Sequence, residues 1–204
     1  MTATVEPTET LQLPADVQDL LFREARTANT FSDEPVSEAQ IRAIYELVKW
    51  APTSMNTQPL RALVIRTDEA KARLVPHMAE GNRAKTASAP VTVVLAADVD
   101  FHENIPQVFP HNPDVKDYFA DEDGRVEFAK LNSLLQVGYF IIGVRAAGLA
   151  AGPMTGFDAA GVDAEFFGGK PWRSLVVINV GKPGDSPWFD RLPRLDFDQV
   201  VETL

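Results

Sequence analysis

The residues Ala51-Pro52-Thr53-Ser54-Met55-Asn56-Thr57-Gln58-Pro59 lie between a helical pattern and a strand pattern, with two prolines enclosing four small polar side chains. Such a loop is stiff, because each proline ring fixes its own backbone angle. It offers several uncharged hydrogen-bonding groups at a fixed position, which suits a flat, polar-edged cofactor. Two further segments belong with it, Arg26-Thr27-Ala28-Asn29 upstream and Gly152-Pro153-Met154-Thr155-Gly156 downstream. The first supplies a guanidinium, which matches phosphate in a bidentate fork. The second supplies glycines, which allow close backbone approach to a bound ring.

Other chemistries are excluded by composition. The chain has no cysteine, so disulfides, thiolate metal sites and cysteine nucleophiles are ruled out. Its three histidines, His77, His102 and His111, share no metal-binding spacing. A formal net charge of -10 argues against a broad nucleic-acid surface, so any phosphate site is local. No apolar run reaches membrane-spanning length, and the acidic start lacks the features of a signal peptide, so a cytoplasmic protein is expected. There is no GxGxxG after a strand, no GxxxxGK[ST] and no GxSxG. Any nucleotide-like cofactor is therefore held another way.

The elements that position these segments follow from periodicity. Residues 1–14 read as a disordered arm and 15–204 as one domain. A helix is expected over Ala15–Ala28. A second opens at Ser37 with a capping box to Gln40, buries Ile41, Ile44, Tyr45 and Val48, and stops before Pro52. Arg61–Arg66 reads as a strand, Asp68–Leu74 and Asn82–Ala87 as short helices. Val91–Ala97 is a near-continuous apolar run and reads as a central strand covered on both faces. Phe101–Phe119 reads as a partly ordered excursion. Arg125–Ala147 is the longest helix and is apolar almost all round, which points to burial on every side within a subunit interface. Gly148 reads as its C-cap. Asp158–Phe167 reads as a helix, Ser174–Val180 as the last strand, and Phe197–Leu204 as a tail or helix. The segment 152–156 reads as a Gly-Pro loop. Helices followed by mixed strands and helices give the α+β class.

By the order and spacing of five motifs the chain resembles the FMN-dependent nitroreductase family. They are Arg26-Thr27-Ala28-Asn29, Pro52 to Pro59, Gly81-Asn82-Arg83-Ala84-Lys85, Gly152 to Asp158, and Arg191-Leu192-Pro193-Arg194. Lys49-Trp50, Phe109-Pro110-His111 and Gly152-Pro153-Met154-Thr155-Gly156-Phe157-Asp158 place the resemblance nearest the RutE-type malonic-semialdehyde reductase branch.

This resemblance implies a nitroreductase-like fold, with a mixed central sheet flanked by helices, in an intertwined homodimer. Two FMN sites would lie at the interface, each lined by both chains. NADH or NADPH would give a hydride to flavin N5 and leave, and an acceptor would take the electrons in its place. Malonic semialdehyde, reduced to 3-hydroxypropionate in pyrimidine breakdown, is the acceptor implied by the branch. A broad nitro or quinone reductase is the alternative within the class. A flavin-storage module and a dimeric interaction protein are alternatives outside it.

The same resemblance assigns residues. Arg26 and Arg191 would meet the FMN phosphate, with Thr27 and Asn29 on the phosphate or ribityl chain. Asn29 stands where many relatives carry arginine, Phe189 where some carry a basic residue, and Arg194 is a candidate substitute. Asn82 and Lys85, three apart and so on one helix face, would flank the flavin ring and its pyrimidine edge or the phosphate. Pro153, Met154, Thr155 and Gly156 would run along the ring, with a backbone N–H near N5. Thr53, Ser54 and Asn56 would reach it from the opposite subunit, with Gln58 a further candidate. By their aromatic or polar type alone, and not through the resemblance, Phe109, His111 and Arg173 are candidate substrate contacts, and no residue carries a catalytic role of its own. Each assignment has a plainer counterpart: a solvated helix-end charge for Arg26, an exposed helix face for Asn82 and Lys85, turn chemistry for Thr53, Ser54 and Asn56.

Overall fold

Val91–Asp98 (β2) is buried along its whole length, and that run decides the architecture. A strand with no solvated face needs a layer on each side. The computed structural model describes residues 11–204 and supplies both layers. The expected arm falls largely outside the described residues. β2 pairs with Leu60–Ile65 (β1) and with Trp172–Gly181 (β4), and β4 pairs with Ala150–Met154 (β3), giving the order β1-β2-β4-β3.

On one face, Glu38–Val48 (α2) and Glu122–Ala146 (α6) bury Ile44, Val48, Val137, Phe140 and Val144 against Val91, Val93, Leu95, Ile178 and Val180. On the other, Asp68–Leu74 (α3), Ala159–Phe166 (α7) and the turn that leads into Glu80–Ser88 (α4) lie against Val94, Ala96 and Val177 through Leu74, Val162 and Met78. Odd and even residues of β2 thus serve opposite layers, as the strand period requires. The capping box forms, with Ser37 Oγ accepting from Gln40 N at 3.1 Å and Gln40 Oε1 accepting from Ser37 N at 2.8 Å. Gly148 ends α6 at a φ of 68°, a conformation that favours glycine.

Several expectations need correction. The sheet is antiparallel at all three pairings rather than mixed. β2 and β3 run in the same direction, but β4 enters between them, so the described residues hold no parallel pair. The first helix is shorter than Ala15–Ala28. It runs over Ala15–Gln18 (α1) and a π-helical turn, Asp19–Arg23. The chain then turns to bond the sheet edge, Ala28 N donating to Ala151 O at 3.3 Å.

β3 itself stands where a loop is expected. Its Pro153 is tolerated because β3 is an edge strand. Ala151 O faces outward to residue 28, so Pro153, two residues on, also faces outward, and its missing N–H removes no ladder bond.

The excursion is more regular than its sequence suggests. Phe101–Asn104 and Pro113–Phe119 are 3₁₀ turns around Ile105–Val108 (α5), joined by stacked and edge-on contacts of Phe101, Phe119 and Phe128. The tail ends in one exposed turn, Phe197–Val200 (α8).

α6 is not buried on all sides within one chain. Leu131, Leu134, Leu135 and Tyr139 form an exposed apolar stripe, with Leu131 64% accessible. Tyr45, expected in the α2 core stripe, is likewise exposed. Among the described residues no helix is long and apolar enough to cross a membrane.

The α2–α6 crossing depends on Gly143, where an added Cβ would fall inside contact distance of Val48 Cγ1 and 3.3 Å from Ile44 Cγ2. Gly143→Ala is expected to destabilise the fold by about 1–3 kcal/mol in urea unfolding of the apoprotein. Gly81→Ala, where nothing lies within 4 Å, is expected to be neutral or stabilising by up to about 1 kcal/mol.

Candidate functional site

One segment bonds the outer edge of β3, and a second bonds the first. Ala28 N donates to Ala151 O, and Asn29 N donates to Pro187 O at 3.0 Å. Gly152 permits the approach, since a Cβ there would lie 2.9 Å from Ala28 O. The result is a hollow of about 260 Å³ lined by Arg26, Thr27, Asn29, Asp190, Arg191 and Arg194, with Phe189 and Leu192 beside them. Arg26 Nη1 donates to Phe189 O at 3.4 Å, while Arg191 Nη2 donates to Arg23 O and to Ala25 O.

Three guanidiniums against one carboxylate leave the hollow positive in an acidic chain, the charge balance an anion requires. Arg26, Thr27, Asn29 and Arg191 are therefore brought together as expected, and Arg194 joins them. Arg145, at the end of α6, borders an adjoining hollow that Arg26 also lines. Burial lowers its pKa from the ordinary value, and it donates to Leu21 O at 3.0 Å.

Beyond Met154 the chain leaves β3 and meets α4. Asn82 Nδ2 donates to Gly156 O at 2.9 Å, and Ala79 N donates to the same oxygen at 3.0 Å. Lys85 lies one turn further along α4 and forms no ion pair among the described residues. Met154 does not present its side chain here, because that side chain is buried in the core. Only its backbone is available beside Pro153, Thr155 and Gly156.

Beneath α4 lies a polar network absent from the sequence reading. Thr92 Oγ1 donates to Asn179 Oδ1 at 2.8 Å, and Asn179 Nδ2 donates to Thr86 Oγ1 at 3.4 Å. Thr86 Oγ1 and Asn179 Nδ2 lie 3.9 and 4.0 Å from Met154 Sδ. The network joins α4, β2 and β4 to the end of β3. Its signal was Thr92 and Asn179 interrupting otherwise apolar strands.

The loop between the prolines holds three non-glycine residues at positive φ: Met55 at 52°, Asn56 at 51° and Gln58 at 45°. Such residues cost about 1–2 kcal/mol each and persist where surrounding contacts over-determine them. Here Thr53 Oγ1 accepts from Gln58 N at 3.1 Å, and Asn56 Nδ2 donates to Val108 O at 2.7 Å. Asn132 Oδ1 accepts from Ser54 N at 2.8 Å, and Gln136 Oε1 accepts from Leu60 N at 3.0 Å. The two buried α6 residues were also missed; their signal was a pair of amides four apart in an apolar helix. The rings of Phe109 and His111 lie 3.9 Å apart at a tilt of 54°, just beyond Val108, while Arg173 is exposed on β4.

The structure does not bring Thr53, Ser54 and Asn56 to the arginine hollow of their own chain. The loop enters β1, at the opposite sheet edge from β3. Three inter-strand spacings separate those edges, about 14 Å. Along the strands, Leu60 sits level with Ala97 and Arg173, and Ala151 with Val180, a further separation of roughly 23 Å. Among the described residues no cluster could hold a metal ion.

Comparisons with known proteins agree with this fold. A sequence model described as the Nitroreductase family matches residues 22–182. A Streptomyces griseus protein named as an NADH dehydrogenase/NAD(P)H nitroreductase is 57% identical, over 95% of this chain and 99% of its own. A Streptomyces coelicolor protein with the same description is 56% identical over 95% of this chain and 99% of its own. The crystal structure of an Exiguobacterium sibiricum nitroreductase in complex with FMN superposes with a TM-score of 0.83 at 18% identity, covering 96% of this chain and all (100%) of that one.

Thr53→Val keeps the side chain's shape and removes the acceptor for Gln58 N–H. It is expected to cost about 1 kcal/mol in urea unfolding and to speed amide exchange over 54–58. Exchange no faster than wild type would show that the Thr53 contact does not hold the loop.

Proposed function

This chain belongs to the nitroreductase family, and from that premise we propose that it is a homodimeric, FMN-dependent NAD(P)H oxidoreductase. The observation that carries this reading is the arginine hollow opening beside β3, the strand that continues into Pro153–Gly156. Its donor set suits a phosphate dianion, with Arg26 and Arg191 as the principal ligands and Thr27 and Asn29 serving the phosphate or ribityl chain. Arg194 takes the place of the basic residue missing at Phe189. Pro153, Thr155 and Gly156 flank the ring with backbone groups, and Asn82 fixes that backbone by its bond to Gly156 O. Lys85 sets a cation against the ring's pyrimidine edge, which favours negative charge there.

Thr53, Ser54 and Asn56 come from the partner. The opposed sheet edges support this, and so do the exposed apolar stripe on α6 and the exposed Tyr45, Leu47 and Trp50. These faces are the ones we assign to the seam between copies.

FMN, when bound, supplies hydride transfer between the nicotinamide donor and the acceptor, in a ping-pong scheme at one face. The chain's part is to bind, orient and bias the charge of that group. For the acceptor, Lys49-Trp50 and the adjoining Phe109 and His111 favour malonic semialdehyde. The names of the close relatives favour nitro compounds, with quinones in the same class. A cytoplasmic setting, where NAD(P)H is supplied, belongs to the same proposal.

The purified protein is expected to be yellow, to be bleached anaerobically by NADH or NADPH, and to recover colour on adding a nitroaromatic or malonic semialdehyde. Yellow protein that neither nicotinamide bleaches would indicate storage. Colourless protein that takes up no added FMN would overturn the cofactor reading. Arg26→Ala and Arg191→Ala are each expected to weaken FMN binding about tenfold or more. Leu131→Glu with Leu134→Glu is expected to shift the wild-type dimer to monomer in analytical ultracentrifugation. A wild-type chain sedimenting as monomer would end the two-chain reading.

A further inference from the structure

Asn132 and Gln136 lie one turn apart on α6, 3% and 8% accessible. Buried amides of this kind are held by hydrogen bonds. Each gives its oxygen to a backbone N–H at one end of the same loop, Asn132 to Ser54 and Gln136 to Leu60. Between those two anchors lie Met55, Asn56 and Gln58, the three residues at positive φ. At its far end the loop is also tied to the sheet, Pro59 O accepting from Asp98 N at 2.9 Å, so α6 supplies the fixing at Ser54 and shares the one at Leu60. The same helix carries the exposed stripe of Leu131, Leu134, Leu135 and Tyr139. The stripe and the two amides are neighbours in sequence on one rigid element.

We infer that Asn132 and Gln136 are positioning residues that set the 53–60 loop of one chain against the cofactor held by the other. The inference rests on the FMN-homodimer reading and extends it. If α6 forms the seam, a loop bolted to α6 moves with the seam, and the distance from Thr53, Ser54 and Asn56 to the partner's hollow is fixed by helix packing. Loss of either oxygen loosens that end of the loop and leaves a backbone N–H without its partner. The strained backbone then relaxes, and the loop's contribution to binding in the other chain is lost.

The test compares Gln136→Met and Asn132→Leu, which keep shape and remove the acceptor, with Gln136→Glu, which keeps an oxygen in place. Val144→Ala is the control, because it opens a cavity in α6 far from the loop. Three readouts are taken: amide exchange of the 53–60 segment in the apoprotein, FMN dissociation constant by flavin fluorescence, and sedimentation. Gln136→Met and Asn132→Leu are expected to remain dimeric, with exchange over 53–60 faster and FMN binding weaker, each by about tenfold. Gln136→Glu is expected to restore both, and Val144→Ala to leave both unchanged at a comparable fall in unfolding temperature. Should Asn132→Leu fail to fold, the Gln136 pair carries the comparison.

Unchanged FMN affinity in dimeric Gln136→Met, with wild type binding FMN, would overturn the positioning role alone. So would an equal loss of affinity in Val144→Ala. Wild type that binds no FMN would instead overturn the reading beneath it.

Discussion

The complete burial of β2 is the constraint on which the rest of the structure depends. A strand without a wet face must sit inside the sheet and between helical layers, so no ligand can approach it from above, below or the side. Backbone and side chains available for binding are therefore pushed to the sheet's edges. β3 takes one edge, with the 24–30 segment bonded to it and the 183–194 segment bonded to that in turn, and β1 takes the other, with the strained loop at its entrance. The distance between the arginine hollow and the loop is thus a consequence of core packing. The two groups do not meet within one chain.

Charge follows the same division. The chain is acidic overall, yet its arginines converge where the tail segment crosses residues 23–29. In the free chain those guanidiniums rest on backbone carbonyls, which are neutral acceptors and weaker partners than an anion. They are thereby held near one another without being neutralised by carboxylates, apart from Asp190 at the margin. On the other face, the Thr92–Asn179–Thr86 chain of hydrogen bonds fixes α4 to the sheet, so that Asn82 and Lys85 stand at a set height above the end of β3.

Much of this was legible in the sequence because local chemistry and tertiary structure agree. Ser37 and Gln40 cap α2 as their types require, Asp68–Leu74 forms the helix read from it, and the apolar run of β2 reports its burial directly. The motif arginines were also legible, since their residue types suit one ligand. β3 was not, because Gly152 and Pro153 are turn residues almost everywhere except at an edge or a close approach, and only the neighbouring chain reveals either. The burial of Met154's side chain depends on which way the strand faces, and a segment taken for a loop gives no facing. The apolar circumference of α6 hid two different things, a core side and an uncovered stripe. It also drew attention from Asn132 and Gln136, whose use becomes visible only once the loop lies across them.

Pro153 has a consequence for how these molecules behave when crowded. Along the outer margin of β3, the carbonyl of Ala151 is already taken by Ala28, and the position two residues on has no amide hydrogen to give. A foreign strand arriving at that margin finds no repeating ladder of donors and acceptors to join. The sheet cannot lengthen sideways there, and this flank is guarded against edge-to-edge aggregation.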